Sequence, residues 1–263
     1  MKVRVLLTLA VLVVLATTWL VAGKMHRFAY WIARKDAAQV QALAKDGWLI
    51  DRLQVAPDVE LVGLVRPPKS PDAGWLLFVP GNSTAMLDGF QAVLDDLRGA
   101  DDVGLAFWGY RGFDASGGTP TPAALAADLR VQWQRLQELG ATPARTEVWG
   151  YSLGSTLAPH LVAHMCDAGQ APQRMVLLAT GMKIPVRPFG WFGRFQASDV
   201  YEGVSQQDRV TCPVIVAQGS ADDAMPIDGA KQLAKAFGAR MVVLEGRGHA
   251  DLWTAARQEL WGK

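Results

Sequence analysis

Cysteine is nearly absent. Only Cys166 and Cys212 occur among 263 residues, too few for a disulfide framework and without the C-x-x-C spacing of a zinc cage, so both read as small buried hydrophobes. Histidine is almost as scarce, with four copies, which leaves few candidates for proton-transfer chemistry. A surplus of charge is missing too: 26 Lys and Arg stand against 25 Asp and Glu, a formal net charge of +1. A phosphate-tracking surface needs basic excess, so a nucleic-acid partner has no electrostatic support. Internal repeats and low-complexity tracts are not visible. With 50% hydrophobic and 19% charged residues, the chain carries the material of one globular domain with a large core and is not of the disordered class.

One long apolar run is present. Val5 to Gly23 holds nineteen residues without a charge, preceded by Lys2 and Arg4 and followed by Lys24 and Arg27. At about 1.5 Å per residue, such a helix nearly spans a hydrocarbon core of about 30 Å. Residues 1–23 are therefore expected to form a hydrophobic helix that makes the membrane a partner, either as an uncleaved anchor or as a signal peptide. Only Val21-Ala22-Gly23 loosely supplies the small residues that cleavage wants,. Counting Lys and Arg on the two sides favours a cytoplasmic domain, whereas a short basic tail before a long apolar run begins an exported anchor. The expectation adopted is a single-pass anchor with its domain on the exported side, or a secreted or periplasmic domain if the signal is cut. Residues 24–48 mix polar and apolar side chains at helical spacing (Phe28, Trp31, Ile32, Ala38, Val40, Leu43), the pattern of an amphipathic connector lying on membrane or domain.

Beyond residue 48 the pattern changes. Leu49 to Val55 and Val59 to Val65, split by Ala56-Pro57-Asp58, predict a hairpin,. Short apolar runs follow at Trp75–Val79, Val103–Trp108, Glu147–Trp149, Met175–Leu178, Val214–Ala217 and Met241–Leu244, with helical stretches such as Thr121–Leu139 and Ser155–Ala168 between them. Alternation of this kind predicts an α/β fold with a mostly parallel sheet wrapped by helices. The Pro/Gly/aromatic-rich stretch Gly181 to Gln196 reads as a short irregular crossing, not a second domain,.

Strand ends carry the chemistry. Gly150-Tyr151-Ser152-Leu153-Gly154 is a G-x-S-x-G turn between a strand run and a helical stretch, where small residues on either side let strand and helix pass while the serine is held strained and exposed. The Leu153 N–H would then open the helix facing a developing oxyanion. A serine hydroxyl needs a base. His26 follows the apolar run, and His160 and His164 lie four apart on the following helix without a carboxylate pattern for metal,. His249, in Gly246-Arg247-Gly248-His249, follows the last strand run and so belongs to the same sheet edge as Ser152,. The loop after Val214–Ala217 offers two adjacent carboxylates, Asp222 and Asp223, to orient the imidazole,. The order is nucleophile, acid, base, each after a different strand.

In these motifs the chain resembles the α/β-hydrolase superfamily, over residues 49–263, and within it the small membrane-anchored serine hydrolases with a minimal lid, here about residues 181–208. The resemblance implies an eight-stranded, mostly parallel sheet with helices on both faces. Phe78-Val79-Pro80-Gly81-Asn82-Ser83 is similar to the family's oxyanion segment, which adds the Asn82 N–H to that of Leu153, although Pro80 replaces the usual histidine. Gly109-Tyr110-Arg111-Gly112-Phe113 is similar to a scaffold loop of the family, with Asp114 where a glycine is common. In Gly219-x-x-Asp222-x-x-x-Pro226 the family's spacing selects Asp222 over Asp223, a choice the residues alone leave even.

These readings predict a serine hydrolase that cleaves ester, thioester or amide acyl bonds through Ser152, His249 and Asp222, with Asn82 and Leu153 as oxyanion donors and a small-molecule or lipid-like acyl substrate. The chemistry requires no metal or organic cofactor. Trp191, Phe192 and Phe195 are candidates for an acyl pocket, a bilayer contact or ordinary packing. The competing readings are a noncatalytic binding module on the same fold, and an acyltransferase that uses an alcohol in place of water.

Overall fold

In the computed structural model, which describes residues 32–83, 86–98, 102–186 and 199–261, the apolar runs are strands and most stretches between them are helices. The hairpin is β1 (Leu49–Ala56) against β2 (Val59–Arg66), antiparallel, with a bulge between Gln54 and Ala56. It joins β3 (Trp75–Val79), β4 (Gly104–Trp108), β5 (Thr146–Tyr151), β6 (Arg174–Leu178), β9 (Val214–Gly219) and β10 (Arg240–Leu244) in an 8-stranded sheet of order β1-β2-β4-β3-β5-β6-β9-β10. From β4 to β10 every pairing is parallel. Strands β3, β4, β5 and β9 are buried at every residue, because helices cover a parallel sheet on both faces and leave no strand side open to water.

Those helices are α2 (Met86–Arg98), α3 (Pro122–Glu138), α4 (Leu153–Asp167), α5 (Ile227–Ala236) and α6 (Trp253–Trp261). Local chemistry sets their starts. Thr121 caps α3 by accepting the Ala124 N–H, and Pro122 takes the first helical place, where its missing N–H costs nothing,. Helix α4 is buried over nearly its whole circumference, and packs against β5, β6 and α3. α2 packs against α6.

The expected connector is different in detail. Its described part is extended at first: the Asp114 N–H donates to the Ala33 carbonyl and the Lys35 N–H to the Asp114 carbonyl. Helix is confined to α1 (Ala37–Gln41), which starts where Asp36 caps the Gln39 N–H. Asp46 and Gly47, both at positive φ, then turn the chain into β1. Val40 and Trp48 are buried in the core, so this stretch rests on the domain. The apolar run at residues 5–23 lies outside the described residues, and among those described no helix is long and apolar enough to cross a membrane. In the expected lid segment a two-stranded antiparallel ribbon, β7 (Ile184–Val186) with β8 (Asp199–Tyr201), precedes a 3-10 turn at Val204–Arg209. Trp191, Phe192 and Phe195 fall outside the described residues.

Candidate active site

Parallel strands end on one edge, and the loops that leave β3, β5, β9 and β10 there carry Asn82, Ser152, Asp222 and His249,. The turn at Ser152 is tight for a steric reason. A Cβ on Gly154 would sit 1.9 Å from the Val79 carbonyl oxygen, and one on Gly150 would sit 2.5 Å from the Gly154 carbonyl oxygen. Only glycines allow α4 to pass this close to β3 and β5. Ser152 itself takes φ 50°, ψ −118°, a strained conformation for a residue with a side chain. Its N–H donates to Leu178 O at 2.9 Å and its carbonyl accepts from Ser155 Oγ at 2.6 Å, which hold the turn from both sides.

The structure brings three predicted residues together. With its proton on Nδ1, His249 donates to Asp222 Oδ2 at 2.8 Å, and its Nε2 stands 3.1 Å from Ser152 Oγ, within reach of the hydroxyl hydrogen. The Asp222 side chain has no exposed surface. Its Oδ1 accepts the N–H groups of Ala224 and Met225 at 3.0 and 2.8 Å, and its Oδ2 also accepts Gln218 Nε2 at 2.9 Å. Asp223, the alternative left open by the residues, is exposed. A buried polar chain ties this loop back to the serine turn: Gln218 Oε1 accepts the Thr180 N–H at 2.7 Å, and Thr180 Oγ1 lies 2.7 Å from Ser155 Oγ.

Leu153 opens α4, where first-turn N–H groups have no partner inside the helix,. Gly81 lies against Ser152, since a Cβ there would be 3.2 Å from the serine Cβ, and this brings Asn82 to the mouth of the site. The Tyr110 hydroxyl donates to Pro80 O at 2.5 Å, and Arg111 grips Asp128 of α3 with two bonds of 2.7 Å, so the loop read as scaffold props the β3 segment. His160 is not part of the site. Its Nε2 donates to Glu202 O at 3.0 Å, and burial pushes its pKa down.

Several neighbours were not singled out from sequence. A cleft of about 290 Å³ opens in front of Ser152 and His249, walled by Asn82, Ser83, Gly89, Phe90, Val93, Tyr151, Ala250 and Trp253. The Tyr151 ring packs on His249 and Trp253, with centroids 5.3 and 4.5 Å apart. Its hydroxyl donates to the His249 carbonyl at 2.8 Å. Burial, and then the charge of Asp222, raise the Tyr151 pKa and keep the phenol a donor,. Gln218 had a readable signal, a lone amide at the end of the apolar strand Val214–Gly219,. Phe90 and Trp253 had none, because they come from α2 and α6, and the packing of those helices brings them together.

Fold and strand-end loops define an α/β-hydrolase architecture, and the comparisons agree with it. Residues 190–258, the part with Asp222 and His249, match the family model described as TAP-like protein. The lysophosphatidylserine lipase ABHD12 of Danio rerio is 23% identical over 200 residues, 65% of this chain and 52% of that protein. Human alpha/beta hydrolase domain-containing protein 17B is 26% identical over 200 residues, 74% of this chain and 65% of that one. The chain thus spans about half to two-thirds of the length of these relatives. The crystal structure of an alpha-beta hydrolase from Vibrio vulnificus superposes with a TM-score of 0.69 at 18% identity, covering 89% of each chain. The chain has the α/β-hydrolase fold, and the family model and the relatives it resembles in sequence point to that superfamily.

Proposed function

We propose that the protein is a serine hydrolase that transfers an acyl group to water through a covalent intermediate on Ser152. The observation that carries this reading is the unbroken line from Asp222 Oδ2 through His249 to Ser152 Oγ, with bonds of 2.8 and 3.1 Å, at the floor of an open cleft. Ser152 Oγ attacks the carbonyl carbon while its proton passes to His249 Nε2, and Asp222 stabilises the imidazolium formed. The backbone N–H groups of Leu153 and Asn82 receive the oxyanion. His249 then protonates the leaving alcohol, thiol or amine as the tetrahedral adduct collapses to the acyl-enzyme. Water, deprotonated by the same histidine, reverses the sequence and frees the acid. Every proton taken up is returned within the cycle, and no metal is called upon.

An acyl substrate with an apolar body is supported by the walls of the cleft, where Phe90, Val93, Tyr151 and Trp253 face the nucleophile,. The lipase named among the relatives agrees with a lipid-like acyl group. We read residues 5–23 as a single-pass anchor that holds the domain on the exported side, next to such substrates. Fractionation of the full chain with protease protection of spheroplasts stripped of any outer membrane tests that part: digestion of the domain only after the inner membrane is opened refutes it.

The central test is fluorophosphonate labelling of the full chain beside Ser152→Ala and His249→Ala, followed by a p-nitrophenyl ester series of rising acyl length. Labelling is expected in the parent, absent in Ser152→Ala and nearly absent in His249→Ala. A folded parent that neither labels nor hydrolyses esters overturns the proposal in favour of a binding module. Ester formation in place of acid when alcohol is added identifies a transferase.

A further inference from the structure

The two cysteines have no part in the site above. Cys166 belongs to the last turn of α4 and Cys212 stands just ahead of β9, yet the fold brings them side by side. The Thr211 N–H, from the residue next to Cys212, donates to the Cys166 sulfur at 3.4 Å, and Cys166 is near enough to Cys212 to help raise the Cys212 pKa. One residue further along, Asp167 accepts both Nε and Nη2 of Arg209. The segments 166–167 and 209–212 are therefore held together at successive points. Cys212 is buried, whereas Cys166 is half-buried, and both thiols are free. A reagent can reach one sulfur while the other waits beside it.

We propose that Cys166 and Cys212 form a redox-active pair that closes to an intramolecular disulfide, joining the end of the nucleophile's helix to the start of the strand that leads to Asp222. The oxidant is a small disulfide such as oxidised glutathione. Cys166, as thiolate, attacks one of its sulfurs and expels one glutathione thiol. Cys212 then gives up its proton and attacks Cys166, expelling the second. Two S–H bonds are lost, one S–S bond is made, and the oxidant is reduced to two thiols. Burial, together with the neighbouring Cys166, pushes the Cys212 thiol up to about 12, so the second step is the slow one and quickens with pH. The loop so closed contains β6, the β7–β8 ribbon and the 3-10 turn at Val204–Arg209. Closing it restricts the unfolded chain while leaving Ser152, Asp222 and His249 untouched.

The experiment incubates the full chain with oxidised glutathione at pH 8, blocks remaining thiols, and reads intact mass, cross-linked peptides and Tm with and without dithiothreitol. The expected result is loss of two hydrogens, a Cys166–Cys212 peptide, and a Tm higher by about 5–10 °C that dithiothreitol reverses. Cys212→Ser is expected to stop at a glutathione adduct on Cys166, and Cys166→Ser to stay unmodified. Fluorophosphonate labelling should be the same in both redox states. A wild type that keeps its circular dichroism yet stays reduced, or stops at the mixed disulfide, overturns the proposal.

Discussion

Replacing Asp222 by asparagine separates the two carboxylates that stand next to one another in the chain. Asp222 accepts four hydrogen bonds, two on each oxygen, from Gln218, His249, Ala224 and Met225. Its side chain is wholly buried, so water cannot make good a lost partner. An amide has one acceptor oxygen and one NH₂ group, and either orientation points the NH₂ at existing donors. If the oxygen keeps Ala224 and Met225, the NH₂ faces His249 Nδ1 and drives the imidazole to the tautomer with its proton on Nε2. That nitrogen then cannot take the Ser152 proton. Each charge-assisted bond that is lost is worth about 1.5–3 kcal/mol. Together with the wrong tautomer this predicts a fall in kcat of about 10³–10⁴ for Asp222→Asn, or roughly 4–5.5 kcal/mol in the barrier. Asp223 is exposed, and Asp223→Asn is expected to stay within about twofold. The assay is steady-state hydrolysis of a short p-nitrophenyl ester, with circular dichroism to show that both variants fold. Asp222→Asn within tenfold of the parent, or an equal loss in Asp223→Asn, refutes the reasoning.

Gly154→Ala places a Cβ 1.9 Å from the Val79 carbonyl oxygen and 2.6 Å from that of Pro80. Neither backbone group can yield, and soluble expression and thermal melts should show loss of the folded protein. Tyr151→Phe keeps the ring against His249 and Trp253 but removes the bond to the His249 carbonyl. Near 1 kcal/mol of positioning is lost, so kcat should drop about 3–10-fold with Tm nearly unchanged. Asp114 is buried in the positive-φ region, and burial raises its carboxyl to about 7 against the pull of Lys35, with Asp88 adding to the rise. The folded chain therefore binds this proton more tightly than the unfolded chain, and stability from this group is full below about pH 4 and lost as pH rises towards 7. Asp114→Asn tolerates the same backbone and removes the titration; its Tm should exceed the parent's more at pH 8 than at pH 4, as read by scanning calorimetry.

What could be read from the chain follows a physical line. Ser152 was legible because the steric demand of a strand-to-helix turn is met by neighbours two residues away, Gly150 and Gly154, and His249 because parallel strands must all end on one edge,. Both are local constraints joined to one topological rule. The choice of Asp222 over Asp223 needed either a family spacing or the structure, because adjacent carboxylates on a loop differ only in which one the fold buries. The part of the cleft wall that comes from other helices was not legible. Phe90 and Trp253 reach it from α2 and α6, helices whose sequences show ordinary packing faces and meet only in the folded state. The cysteines illustrate the same limit from the other side. Each alone is a small apolar side chain, and only the packing of α4 against the segment before β9, pinned by Arg209 and Asp167, makes them neighbours. Chemistry that depends on one turn is written in a few adjacent letters. Chemistry that depends on two packed elements, as the proposed acyl selectivity and thiol pairing would, is carried by residues whose own surroundings in sequence say nothing of each other. For that reason substitutions at Phe90 and Trp253, and not at the G-x-S-x-G turn, are the ones that should alter which acyl chain is accepted while leaving fluorophosphonate labelling of Ser152 intact.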